Sequence, residues 1–240
     1  MFVRARASRT SSRFVFRRLL SVAVLSTAAA VAVPAFGQEA GSPIGKNAVA
    51  LQVGALGLGL EYSHTFGDRL ALRGAVYGSQ AGFDGDESDI EYTFDVIWDS
   101  IAIGLDLHPG KGPFRLSGGY LKNENRLEAV SRPTTPEEIG DTTYTPAQIG
   151  TLNGLVTFDD SAAYAGLGWD WSRKDSGFGV SLDLGLVSQG DASVDLTSTG
   201  TAASNPLFQQ DLAAEEVEIE EDLEDADVVP YLTLGFVFRF

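Results

Sequence analysis

The feature that most constrains this sequence is a period-two alternation of apolar with small or polar residues, repeated in segments of about ten residues. The last segment shows it best. Leu232, Leu234, Phe236, Phe238 and Phe240 form one row, and Tyr231, Thr233, Gly235, Val237 and Arg239 form the other. Neighbouring side chains point to opposite sides only in an extended strand, so each segment presents one apolar face and one of different character.

Eight such strands can be read. The first runs from Ala48 to Val53 with Val49, Leu51 and Val53 on one face. The second runs from Leu56 to Phe66 with Leu58, Leu60, Tyr62 and Phe66, and the third from Leu70 to Gly78 with Leu70, Leu72 and Val76. The fourth, from about Tyr92 to His108, ends in the row Ile101, Ile103, Leu105 and Leu107. Its phase slips near Asp99 and Ser100, which predicts a β-bulge there. Phe114, Leu116, Gly118 and Tyr120 open the fifth, Ala163, Ala165, Leu167 and Trp169 close the sixth, and Phe178, Val180, Leu182, Leu184 and Leu186 run along the seventh. The terminal strand is the eighth, expected to close against the first.

The second face decides between architectures. A soluble sandwich would solvate it with Lys, Glu and Thr, whereas here it is mostly Gly, Ala and Ser with isolated charges, as suits a narrow, crowded lumen. The fold expected is all-β, an eight-stranded antiparallel up-and-down transmembrane β-barrel. The connections alternate in length. Turns at 66–69, 109–112 and 173–177 are short and are assigned to the periplasm, and long outer loops are expected near 79–90, 132–150 and 199–227. Within the second loop, Thr145-Pro146-Ala147-Gln148 predicts a single helical turn with Pro at its first position.

The N-terminus has the layout of a secretory signal peptide. Arg4, Arg6, Arg9, Arg13, Arg17 and Arg18 precede an apolar run from Leu19 to Val33, and small residues follow, so cleavage is expected before Gln38. Residues 1–37 are thus a signal peptide, 38–46 a short N-terminal segment and 47–240 the barrel. The mature chain keeps 11 basic and all 33 acidic residues, a net charge of −22 that repels nucleic acid. With no cysteine there is neither a disulfide framework nor thiol chemistry.

The apolar row ending at Phe240 resembles the C-terminal signal that the barrel-assembly machinery reads in outer-membrane proteins. Over roughly residues 47–240 the chain also resembles an uncharacterised group of small proteobacterial outer-membrane barrels, on the stretches Gly140 to Gly154 and Gln210 to Leu223. In size and strand plan it is similar to the OmpA transmembrane domain and the OmpW group. The resemblance implies an eight-stranded barrel integral to the outer membrane, with Leu232, Leu234, Phe236, Phe238 and Phe240 as its assembly signal. It carries no activity with it. A peptidoglycan-binding domain of the OmpA kind is not expected.

Strand parity turns Glu61, Arg73, Asp106, Arg115, Asp183 and Arg239 inward, with Asp170 a further candidate. Eight strands enclose a space that side chains just fill, so these charges must pair or lie desolvated at a cost of several kcal/mol each. Asp106 and Arg115 flank one short turn and are expected to meet across the hairpin. The network reads as a polar plug; the alternative is a narrow channel or transporter for small apolar or ionic solutes.

Asp211 to Asp227 holds ten acidic residues and no basic one, with Leu212, Val217, Ile219 and Leu223 among them, and reads as a helical, solvated outer loop. Such a surface is a candidate for bridging divalent cations to lipopolysaccharide phosphates, but no DxDxDG loop supports a dedicated site. His64 and His108 are expected at the membrane interface, and Trp98, Trp169, Trp171, Tyr62 and Tyr120 in an aromatic girdle. Two histidines on different strands and isolated serines supply no catalytic set. The function expected is a non-enzymatic, cofactor-free outer-membrane protein with a structural envelope role, partnered by lipid, lipopolysaccharide and the assembly machinery.

Overall fold

The computed structural model describes residues 45–87, 90–174, 177–224 and 227–240. The signal peptide expected over 1–37, and most of the 38–46 segment, lie outside the described residues. All eight expected strands form. They are β1 (Asn47–Gly54), β2 (Gly57–Phe66), β3 (Leu70–Glu87), β4 (Ile90–Leu107), β5 (Phe114–Asn123), β10 (Ser161–Asp170), β11 (Gly177–Ser188) and β13 (Val228–Arg239). Each pairs antiparallel with the next in that order, and β13 returns to β1, so the sheet closes. Val49 faces Phe238, Leu51 faces Phe236 and Val53 faces Leu234 across the closing seam. Closure satisfies the backbone polar groups that lipid cannot.

The outward rows are apolar and uncovered by protein: Leu51 is 65% exposed and Ile103 60%. In water such a band would drive association; in a bilayer it matches its solvent. The inward rows carry small residues, among them Ala48, Ala50, Ala75 and Ala102, all buried. Tyr62, Tyr120 and Trp171 lie exposed on the outer surface, as a girdle requires. Trp98 does not. It lies on the inward row of β4, and its indole N–H donates to the carbonyl of Ala55 at 2.9 Å. That clasp holds the β1–β2 turn, where Gly57 has φ +90° and a Cβ would lie 2.9 Å from the Trp98 Cβ.

Two expectations along β3 and β4 are corrected. The outer loop near 79–90 is largely strand, because β3 extends to Glu87 and β4 begins at Ile90. The bulge at Asp99-Ser100 is absent, since the register runs unbroken from Leu70 opposite Leu107 to Glu87 opposite Ile90. The apolar row changes parity for another reason: Ile101 to Leu107 face lipid, whereas Phe94 and Val96 face inward on a part of the strand that stands above the barrel.

That upper part is a sheet of its own. β6 (Arg126–Pro133), β9 (Leu152–Phe158) and β12 (Ala192–Ser198) continue β5, β10 and β11 after breaks at Glu124-Asn125, Asp159-Asp160 and Gln189-Gly190-Asp191. They add to upper β4 in the order β4-β6-β9-β12. Upper β3, β4, β6, β9 and β12 thus extend part of the barrel wall outward, and these strands belong to an outer unit rather than to the ring. Val96, Leu127, Val156 and Val194 align across that wall on the face that continues the lumen side.

Helix α2 (Pro206–Leu223) covers this face. Phe208, Leu212 and Leu223 are buried in one cluster with Val156, Val194, Leu196, Ile149 and Tyr144, and Ile219 packs beside them. Val217 points away, 53% exposed. Asn205 caps the helix by accepting from the Leu207 N–H at 2.9 Å, and Pro206 starts it, so it begins ahead of the acidic stretch. In the 132–150 connection a small hairpin of β7 (Glu137–Ile139) and β8 (Thr142–Tyr144) precedes the expected helical turn, α1 (Pro146–Ile149). The Gln148 side chain accepts from the Thr145 N–H at 2.9 Å.

Candidate functional site in the lumen

The seven inward charges come from seven different strands, and alternation aims each at the axis. At the end that carries the short turns, Arg239 on β13 donates to Asp170 on β10 at 2.6 Å. The next residues form a short 3-10 turn, Trp171–Lys174, which tucks Ser172 underneath. The Ser172 N–H and hydroxyl both donate to Asp170, at 3.0 and 2.5 Å, and Arg239 Nε donates to the Ser172 hydroxyl at 3.1 Å.

Further in, Arg115 on β5 grips Asp183 on β11, its Nη2 lying 2.8 and 2.7 Å from the two carboxylate oxygens. It also lies 3.7 Å from both Asp106 and Asp170. Arg73 on β3 bridges three carboxylates, Glu61 at 3.3 Å, Asp106 at 3.2 Å and Asp183 at 3.4 Å. Neutral groups complete the set: Gln52 donates to Glu61 at 2.6 Å, Tyr77 donates to Gln52 at 2.6 Å, and Ser117 donates to Asp106 at 2.7 Å. The Arg73 guanidinium lies 6.0 Å from the centre of the Tyr164 ring.

Glycine makes the room. A Cβ on Gly168 would fall 2.6 Å from both Arg115 Nε and Asp183 Oδ1, so any side chain there would displace that ion pair. Gly104 and Gly119 likewise leave space for Tyr164, and Gly166 and Gly185 for Tyr231. Moving each ion out of water costs several kcal/mol, offset here because every carboxylate meets at least one guanidinium and most take further hydrogen bonds. Above the charges lies a cavity of about 20 Å³, walled chiefly by Tyr77, Tyr164, Tyr231, Leu121 and Ala75. Its volume has room for about one water molecule.

All six expected charges, Glu61, Arg73, Asp106, Arg115, Asp183 and Arg239, fall in one connected set, and Asp170 joins them. Asp106 and Arg115 do approach across their hairpin, but Arg115 binds Asp183 far more closely. Tyr77 and Ser117 share the inward rows of Arg73 and Arg115, as alternation requires, whereas Gln52, Tyr164 and Ser172 join the network with no charge to mark them. Parity alone would have placed Gln52 beside Ala48 and Ala50, yet an uncharged residue draws no attention in a scan for charge.

His64 meets Asn47 at 2.8 Å. His108, expected at the interface, instead lies buried beside the short turn after β4, 1% exposed, with no protein hydrogen-bond partner for either ring nitrogen. Burial, reinforced by the nearby Arg173, pushes its pKa down to about 4, so it is neutral at pH 7.

The acidic helix is engaged rather than merely solvated. Glu216 and Glu220 accept from the N–H groups of Leu196 and Val194 at 2.7 and 2.8 Å, along the edge of β12 that no strand covers. Four helical residues rise about 6 Å and two strand residues about 6.7 Å, so carboxylates at i and i+4 match alternate N–H groups of an edge. Asp211 accepts from the Tyr144 hydroxyl at 2.6 Å and Glu215 from the Gly140 N–H at 2.9 Å. Among the described residues no three His, Cys, Asp or Glu side chains converge as a metal site would require.

Neither a protein-family model nor a curated protein matches the chain. Among solved structures it is similar to the crystal structure of Acinetobacter baumannii CarO, at 17% identity and a TM-score of 0.55, covering 82% of this chain and 98% of that one. It is similar also to that of Acinetobacter baumannii CarO2, at 20% identity and a TM-score of 0.57 with the same coverage. At these identities the likeness is one of fold. With its closed ring and apolar outer band, the chain is a small eight-stranded β-barrel integral to the outer membrane.

Proposed function

We propose that this barrel is a non-enzymatic envelope protein whose lumen is plugged and whose work is done outside it, by a stable membrane ring that carries an acidic sheet-and-helix unit above the bilayer. The observation that carries this reading is the cross-linked lumen: three arginines hold four carboxylates, and the cavity above them has a volume of about 20 Å³. A conducting pore needs a continuous wet path with sites that ions can leave.

The outer unit supports a presenting role, because it has its own core and a protected edge rather than loops alone. Its exposed carboxylates repel anionic lipopolysaccharide headgroups, which favours an upright stance. The row Leu232, Leu234, Phe236, Phe238 and Phe240 serves as the signal for the assembly machinery in the same reading. The test is conductance of the full mature chain, refolded and inserted into planar bilayers. No discrete single-channel current is expected. A discrete current that Arg115→Ala abolishes would overturn the plug in favour of a selective pore.

A further inference from the structure

Two buried hydroxyls in the upper lumen lack a protein partner. Tyr231 is 6% exposed and Thr233 2%, and neither side-chain oxygen makes a hydrogen bond to the protein. Both come from β13, two residues apart on its inward row, and both line the cavity of about 20 Å³. Leaving two such hydroxyls unsatisfied would cost on the order of a hydrogen bond each. The remaining polar wall comprises Tyr77, Tyr164, Glu61, Asp183 and Arg73.

We infer that this cavity is a binding site for one ordered water molecule, held by Tyr231 and Thr233 and donating to the carboxylates of Glu61 or Asp183. Three observations select water over an ion. The volume admits roughly one water-sized centre. Arg73 in the wall disfavours a cation, and Glu61 and Asp183 disfavour an anion. A neutral molecule that both donates and accepts suits two hydroxyls beside two carboxylates.

The water has a structural consequence. Among the described residues β13 otherwise reaches the charge network only through Arg239, at the end with the short turns. Thr233 lies opposite Asp183 in the β11–β13 register. A bridging water therefore ties the closing strand to the network a second time, three pleat repeats away from Arg239. The site rests on the closed-lumen reading but is tested separately from it, because conductance does not report on a single trapped water.

The test is a high-resolution crystal structure of the refolded mature chain, with a parallel crystal soaked in rubidium chloride. A density peak within hydrogen-bonding distance of the Tyr231 and Thr233 hydroxyls, without rubidium anomalous signal, is the expected result. In the Tyr231→Phe, Thr233→Val double variant that peak is lost while the barrel remains closed. Should the double variant not fold, magnetisation transfer from a long-lived water to the Thr233 amide, measured by NMR on the unaltered protein in micelles, is expected instead. A rubidium peak in the cavity, or neither water density nor transfer in the unaltered protein, would overturn the inference.

Discussion

The two halves of β4 obey opposite rules in one unbroken register. From Ser100 to Leu107 the large apolar residues face out and the polar ones in; from Phe94 to Trp98 three of the four large apolar residues, Phe94, Val96 and Trp98, sit on the inward row and Ile97 on the outward one. The backbone is the same strand. What changes is the solvent on each side, lipid below and water above, and what fills the concave side, ion pairs below and a helix above. Side-chain polarity along a strand reports its surroundings, so a change of parity marks the membrane boundary as readily as a backbone defect.

The halves also engage carboxylates differently, buried ones in the lumen and half-buried ones outside it. In the lumen Asp183 and Asp170 meet guanidinium groups. In the outer unit Glu216 and Glu220 meet backbone N–H groups that no strand takes up. A closed ring has no edge to protect, whereas the open wall ends at β12 and needs one covered.

The sharpest break of this comparison is Arg115→Ala, which removes the two closest contacts of Asp183 and leaves it only Arg73 at 3.4 Å. A loss of about 3–5 kcal/mol is expected, read from urea titration of the refolded protein in lipid vesicles. Loss below 1 kcal/mol would mean that water already reaches Asp183. Next comes the outward face of β4. Ile103→Lys, in the lipid band, should cost about 2–4 kcal/mol in the same titration, and Ile97→Lys, above it, less than about 1 kcal/mol. Equal costs would misplace the membrane boundary.

A smaller, local effect is expected at the β12 edge. Removing both half-buried carboxylates in Glu216→Ala, Glu220→Ala should lose about 0.5–1 kcal/mol per bond. Hydrogen exchange is the readout: the Val194 and Leu196 amides should exchange faster while those of β11 stay unchanged. The smallest effect at neutral pH belongs to His108. Its folded pKa of about 4 lies below the ordinary 6.5, so the unfolded chain takes up the proton first as pH falls. Stability should therefore be unaffected above pH 6.5 and decline from there to about pH 4, with His108→Gln flattening that slope.

The ring strands were legible because lipid demands an apolar residue at every second position over a full span, and Leu232 to Phe240 meet that demand without exception. The outer strands were not, because their rows are short. Val194 and Leu196 on β12, or Leu127 and Ala129 on β6, are two residues each, too few to separate from a loop. Among the lumenal groups, parity identified which charges turn inward. Their partners lay out of reach, since Arg115 finds Asp183 across 68 residues and Arg73 finds it across 110. The acidic helix was legible as a helix, but its edge-capping role requires knowing that β12 lies beside it.

By itself, then, the sequence determines the ring: its strand number, its lipid face, its lumenal charges and the membrane it suits, because the bilayer imposes a repeating rule on every strand. Tertiary structure alone decides which carboxylate each arginine holds, where β4 leaves the membrane, and why ten acidic residues belong on one helix and its flank. Those depend on contacts between distant segments, and no local periodicity records them.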